Sequence, residues 1–358
     1  MKKGFKVQGS RFKVLKKNIL FVLIFSLFTV HCSLFTALTA QAVEIRSKAA
    51  VVMEESTGRV LYGKNPNLRL LPASTTKLVT AMVALDRMNL DDVVSISEKA
   101  ANVSPIRADF RVNERVTVKT LLYAALIRSA NDAAVALAEA VAGSEQDFVE
   151  LMNQKVLSLG ITDSRFANAS GLPGGEQYTT VYDLSRIMKR AMRYRTIRDI
   201  INTKAGFIAT EDGRSIFLKN INKLLWSDDS MLGGKTGYTR KAGHCFVSAG
   251  EHFDDMIIVA LLGAPNRETM WRESELLMEK GFSIKGRKEE PVIYFTRSDY
   301  NGSLEKASYN VQRKEGKKAF VKKKAKSSRQ MLKKADKNKK IKAGNSRLVS
   351  QKNAKNEG

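Results

Sequence analysis

Pro72-Ala73-Ser74-Thr75-Thr76-Lys77-Leu78-Val79-Thr80-Ala81-Met82-Val83 sets a serine and a lysine at the head of an apolar run. The run is apolar on most faces, so it reads as an internal helix. Ser74 falls in its first turn, where free backbone N–H groups and the helix dipole favour negative charge. Lys77 lies three residues on and shares the face of Ser74. Serine at such a place is ordinarily a cap and lysine ordinarily sits in solvent. A lysine heading an internal helix needs another reason. An amine is a poor base at its solution pKa of about 10.4. Burial and a second cation nearby would both disfavour its charge and make it a usable base.

Two further motifs follow in order and supply the missing parts. Ser129-Ala130-Asn131 joins two helical patterns, 117–127 and 132–142. Such a junction is commonly a cap. The same tight turn would aim both side chains at a cleft, Ser129 to relay a proton and Asn131 to hold a substrate amide and steady Lys77. Gly233-Gly234-Lys235-Thr236-Gly237 opens the strand pair near the end of the domain. Gly237 lets another backbone approach closely, as a peptide laid along a sheet edge would. Lys235 and Thr236 suit a terminal carboxylate by charge and hydrogen bond, and Lys235 is the candidate for the second cation near Lys77. Single motifs are weak. Ser10 to Lys13 and Ser303 to Lys306 repeat the S-x-x-K spacing, and Ser308-Tyr309-Asn310 repeats S-x-N. Only the set at 74, 129 and 235 has all three members in order.

The ends of the chain are of other material. Seven basic residues from Lys2 to Lys17, an apolar run over 19–38 and Ala40-Gln41-Ala42 read as an export signal over 1–42. An uncleaved membrane anchor is the alternative, since the run approaches the roughly 20 residues that span a bilayer. Cys32 lacks the small-residue context of a lipoprotein site. The protein is therefore expected outside the cytoplasm, in the periplasm or on the outer face of the cytoplasmic membrane. Cleavage would leave Cys245 alone, without a disulfide partner and best read as a small buried apolar residue. His244 and His252 lack metal-site spacing, and we expect neither metal nor cofactor.

Over 311–358 there are 18 basic and 3 acidic residues, a net of +15. With the 7 charges of the signal, this accounts for most of the chain's +25, and 43–310 is nearly balanced at +3. The tail has too few large apolar residues to offset chain entropy and is expected to be disordered. It suits anionic lipid headgroups or wall polymers, or is a solvated tail with no partner. Export makes nucleic acid an improbable partner.

The roughly 240 residues between are enough for one core. Ala49-Ala50-Val51-Val52-Met53 and Val60-Leu61-Tyr62 read as a strand pair across a turn, and 243–249 with 255–262 as a second pair. Helical periodicity fills 78–88, 117–127, 132–142 and 148–159. Thr180-Val181-Tyr182-Asp183 opens another helix through Arg193, and 267–280 closes the domain with a last one. Strands from both ends with helices between them suggest one sheet plus a helical subdomain. The resulting division is signal 1–42, catalytic domain 43–283, linker 284–310 and tail 311–358.

Over about 43–282 the chain resembles the low-molecular-mass penicillin-binding proteins, specifically the serine D-alanyl-D-alanine carboxypeptidases. The likeness includes Leu224-Leu225-Trp226 and Gly237-Tyr238-Thr239-Arg240-Lys241-Ala242-Gly243. It implies an α/β fold of the β-lactamase/DD-peptidase type, an antiparallel sheet flanked by helices plus a mostly helical subdomain. It further implies that a peptidoglycan stem peptide acylates Ser74, with Lys77 as general base. Ser129, Asn131 and Lys235 would line the site, and Thr236 and Thr239 would contact the terminal carboxylate. The backbone N–H groups of Ser74 and Tyr238 would form the oxyanion hole, and β-lactam antibiotics would acylate Ser74 in a slowly hydrolysed form. The chain departs from well-known members after 283. Pro291-Val292-Ile293-Tyr294-Phe295 is too short for their β-rich second domain, and a basic tail stands where they carry an amphipathic anchor.

Rival readings differ by identifiable features. A class A β-lactamase needs a deacylating glutamate in an E-x-x-L-N motif between the second and third elements, and none is there. A DD-endopeptidase shares every motif. A non-catalytic adhesion protein would act through its tail, yet a relic site should have lost a member of the set.

Overall fold

The computed structural model describes residues 44–253, 255–287, 291–296 and 304–308. The expected signal, Cys32 and the basic tail lie outside the described residues. The fold is that of the unit beginning at Arg46.

The described chain opens with the antiparallel pair β1 (Ala49–Glu54) and β2 (Val60–Lys64). A 3-10 turn, Ala73–Thr76, runs into α1 (Lys77–Leu85), followed by β3 (Val93–Ser95), α2 (Glu98–Asn102), β4 (Arg115–Thr117) and α3 (Val118–Tyr123). A π-helical turn, Ala124–Arg128, precedes α4 (Asn131–Ala142), α5 (Glu145–Ser158), α6 (Val181–Ala191) and α7 (Arg195–Asn202). The hairpin β5 (Ala205–Ala209) and β6 (Ser215–Lys219) and the short α8 (Leu224–Ser227) lead to β7 (Met231–Thr239), β8 (Gly243–His252) and β9 (Asp255–Ala264). The chain then forms α9 (Arg267–Arg287), β10 (Val292–Thr296) and β11 (Leu304–Ser308).

The main sheet has the order β11-β10-β2-β1-β9-β8-β7. Its pairings are antiparallel except β10 on β2, which is parallel. β1 is buried along its whole length, which is why its apolar residues run on without alternating with polar ones. α9 packs against β1, β8 and β9, and α6 packs against the same three strands. On the helical side α1 is the central element, buried from Lys77 to Ala84 and packed against α4, α5 and α6. Thr180 caps α6 by accepting from the Asp183 N–H at 3.0 Å, as its sequence implied. Among the described residues no helix is long and apolar enough to cross a membrane.

Two expectations need adjustment. The lysine–threonine–glycine segment does not merely open a strand pair: it lies within β7, a third strand of that set and the edge of the sheet. The expected boundary at 283 falls inside α9, and the segment read as a linker supplies β10 and β11.

Candidate active site

Ser74 sits not in the α-helix proper but in the 3-10 turn before it, half-buried, with Thr75, Thr76 and Lys77 buried behind it. The turn is tight. Thr75 Oγ1 donates to Pro72 O at 2.7 Å, and Ala73 takes a left-handed φ of 48°, a conformation that alanine rarely adopts. Two glycines close on this turn. A Cβ on Gly171 would lie 1.9 Å from Ala73 O, and one on Gly237 would lie 2.7 Å from Ser74 N. Only glycine lets both backbones come so near.

Lys77 Nζ has three neighbours: Asn131 Oδ1 at 2.7 Å, Ser170 O at 2.7 Å and Ser74 Oγ at 3.1 Å. The first two can only accept hydrogen bonds. A neutral amine has two N–H bonds and one lone pair. Both hydrogens are taken by the two acceptors, and the lone pair is left for the Ser74 hydroxyl. Electrostatics favours that neutral form. Burial first, and the Lys235 cation second, hold Lys77 well below the usual lysine pKa, against the opposing pull of Asp132.

The other two motifs reach the same place from different elements. The π-helical turn ends at Ser129, whose φ of 66° is left-handed, so the chain reverses there and starts α4 at Asn131. Asn131 Nδ2 donates to Pro105 O, and its backbone N–H donates to Ile106 O at 2.8 Å. This fixes which end of the amide faces Lys77. Lys235, fully buried on β7, donates to Ser129 Oγ at 2.8 Å and to Thr236 O at 3.0 Å. Burial lowers its pKa to about 7. The structure therefore joins Ser74, Lys77 and Asn131 by direct contacts and Ser129 and Lys235 by another, with Lys235 close enough to Lys77 to act on its charge.

The remaining predicted residues continue along β7. Thr236 and Thr239 are part-exposed, and the Thr239 hydroxyl accepts from Ala242 N at 3.0 Å. Tyr238 is 56% exposed, its ring 4.4 Å from that of His244. Cys245 lies opposite Gly237 in the sheet, and burial pushes its thiol pKa up to about 11, which makes it unreactive.

Sequence reasoning missed two contributors. Ser170 acts through its carbonyl oxygen, held by the 168–172 turn. There Asn168 Oδ1 accepts from Gly171 N at 2.7 Å and Ser170 Oγ at 3.1 Å, while Asn168 Nδ2 donates to Leu172 O at 2.9 Å. The turn-forming run Asn168-Ala169-Ser170-Gly171 was the available signal. Asp132, which the sequence shows only as the start of the 132–142 helical pattern, is buried and accepts from Ala108 N at 3.0 Å and Phe110 N at 3.3 Å. It thereby anchors the 105–110 loop that holds Asn131. Burial raises its carboxyl pKa.

Residues 36–266 match the family model described as D-alanyl-D-alanine carboxypeptidase. The chain is 34% identical over 242 residues to D-alanyl-D-alanine carboxypeptidase DacF of Bacillus subtilis, covering 66% of this chain and 62% of that one. It is 32% identical over 256 residues to D-alanyl-D-alanine carboxypeptidase DacC of Escherichia coli, covering 68% and 63%. The chain thus spans just over three fifths of these curated relatives. Among solved structures, a Streptomyces DD-transpeptidase superposes with a TM-score of 0.64 at 30% identity, covering 67% of this chain and 98% of that one. With the family model matched over more than half its length, the chain belongs to the D-alanyl-D-alanine carboxypeptidase family.

Proposed function

We propose that the protein is a serine D-alanyl-D-alanine carboxypeptidase that removes the terminal D-alanine from peptidoglycan stem pentapeptides outside the cytoplasm. The observation that carries the reading is the buried Lys77 amine, 3.1 Å from Ser74 Oγ and 2.7 Å from each of two oxygens that can only accept, Asn131 Oδ1 and Ser170 O. Ser74 Oγ attacks the carbonyl carbon of the penultimate D-alanine as its proton passes to Lys77. The developing oxyanion accepts from the N–H groups of Ser74 and Tyr238, which the approach of Gly237 to Ser74 brings near each other. Lys235, with Thr236 and Thr239, holds the terminal carboxylate.

On collapse of the intermediate the C–N bond breaks. The leaving amine takes a proton from Ser129, which is resupplied through Lys235, 2.8 Å away. The proton that Lys77 took from Ser74 passes to Lys235, replacing the one given to Ser129. The neutral Lys77 amine then deprotonates the water that hydrolyses the acyl-enzyme and returns that proton to Ser74 Oγ as it leaves. A β-lactam ring would follow the same first step. The basic 311–358 segment, with its net +15, suits an anionic membrane or wall polymer.

The test is incubation of the full-length protein with stem pentapeptide, following free D-alanine, beside the Ser74→Ala variant. Release that disappears in the variant supports the assignment. Cleavage of cross-linked dimers alone would replace it with an endopeptidase.

A further inference from the structure

A pocket of about 430 Å³ lies between the β1–β2 turn, the segment after α5, and α6, and it shares no residue with the Ser74 site. Part of its lining is apolar, with Met53, Leu159 and Ile161 beside the Tyr182 ring. The rest carries four cations, Arg186, Lys189, Arg190 and Arg193.

These cations are mostly held by neutral groups. Arg186 donates to Leu159 O and Gly160 O, both at 2.9 Å, and Lys189 donates to the carbonyls of Glu55 and Ser56. Carbonyl oxygens orient a cation without cancelling its charge. Arg193 pairs with Glu55 at 3.1 Å. Asp183 lies 3.8 Å from Arg186, but that carboxylate already accepts from Asp163 N and Ser164 Oγ. Arg190 lies 5.8 Å from the centre of the Tyr194 ring and, among the described residues, meets no carboxylate within ion-pair distance. Four cations therefore face two carboxylates, in a cavity of the size that takes small ligands.

We propose that this pocket binds the phosphate ester of a sugar or polyol. The phosphate oxygens would sit on Arg190 and Arg193, whose planar forks match them, with Lys189 behind. The polyol body would lie against Tyr182 and Ile161, since the cavity is much larger than a bare phosphate. This assignment does not depend on the chemistry at Ser74.

The experiment titrates the full-length protein calorimetrically, at physiological ionic strength, with glycerol 3-phosphate, N-acetylglucosamine 1-phosphate and orthophosphate. A parallel arm uses phosphatidylglycerol vesicles against phosphatidylcholine vesicles. The organic phosphates should bind more tightly than orthophosphate. Because the basic 311–358 segment itself suits an anionic membrane, only vesicle binding that the arginine variants lose assigns the phosphatidylglycerol headgroup as the source. The Arg190→Ala/Arg193→Ala variant should bind at least tenfold more weakly while penicillin still acylates Ser74 at the wild-type rate. Arg190→Ala, which removes no hydrogen bond or ion pair, should show the same direction and serves if the double variant misfolds. Equal binding by wild type and variants, orthophosphate binding as tightly as the esters, or no binding in either arm would overturn the proposal.

Discussion

An ordinary lysine at neutral pH presents three N–H donors, and two of the three atoms around Lys77 can only accept. The third, Ser74 Oγ, is the one atom in the shell with a proton to give. Lys77→Arg puts in its place a guanidinium that does not deprotonate in proteins. Acylation of Ser74 by penicillin should fall roughly 100- to 10,000-fold, the range lost with a general base. Lys235→Gln tests the other half of the argument. Removing that cation relieves the repulsion on Lys77, so its pKa rises and the limiting acylation rate should climb at higher pH than in wild type. An unmoved pH profile would mean that Lys235 does not act on Lys77. These side chains were legible in the sequence because each is a polar residue set at the start of, or between, apolar elements. Ser170 was not, because its contribution is a carbonyl oxygen, which every residue possesses.

At the scale of elements, the apolar periodicities of α1, α4 and α5 announced the helices, and the unbroken apolar runs of β1 and β9 announced the central strands. β7 was harder to see, since Gly-Gly-Lys-Thr-Gly has the composition of a turn. It is a strand because β8 pairs along it and its glycines fit where side chains would clash. The π-helical turn was invisible as well: Ala124-Ala125-Leu126-Ile127-Arg128 contains no breaker, and the reversal shows only as a left-handed Ser129. The contact between the 168–172 turn and the Ser74 turn can be tested directly. At Gly171 an added Cβ meets Ala73 O at 1.9 Å, and φ is +79°. Gly171→Ala carries a left-handed strain of about 1–3 kcal/mol before that clash is counted. The turn must retreat and take Ser170 O away from Lys77. Both melting temperature and acylation rate should drop. Gly206→Ala, where nothing lies within 4 Å of the added Cβ, should leave both unchanged. Normal acylation by Gly171→Ala would show that the turn does not position the amine.

For the molecule as a whole, two fully buried lysines mean that the fold is least favoured where their protons are held most firmly. Lys235 has a folded pKa of about 7, and Lys77 is also well below the ordinary lysine value. The unfolded chain keeps both protons up to about pH 10.4. Between pH 7 and that value the unfolded state therefore binds more protons than the folded one, and stability contributed by Lys235 rises with pH. The contribution is complete above the unfolded pKa and lost as pH falls through about 7. Its slope approaches about 1.4 kcal/mol per pH unit within that window. In Lys235→Met this slope vanishes, and the part of the Lys77 shift caused by Lys235 goes with it. Denaturant midpoints of wild type and variant, measured from pH 6 to 9.5, should therefore converge or cross. The variant gains relative stability toward pH 6 and the wild type toward pH 9.5. A stability difference that stays constant over this range would mean that Lys235 keeps its proton in the folded protein. It would then be a permanent cation, able to grip a carboxylate but unable to resupply Ser129 at neutral pH.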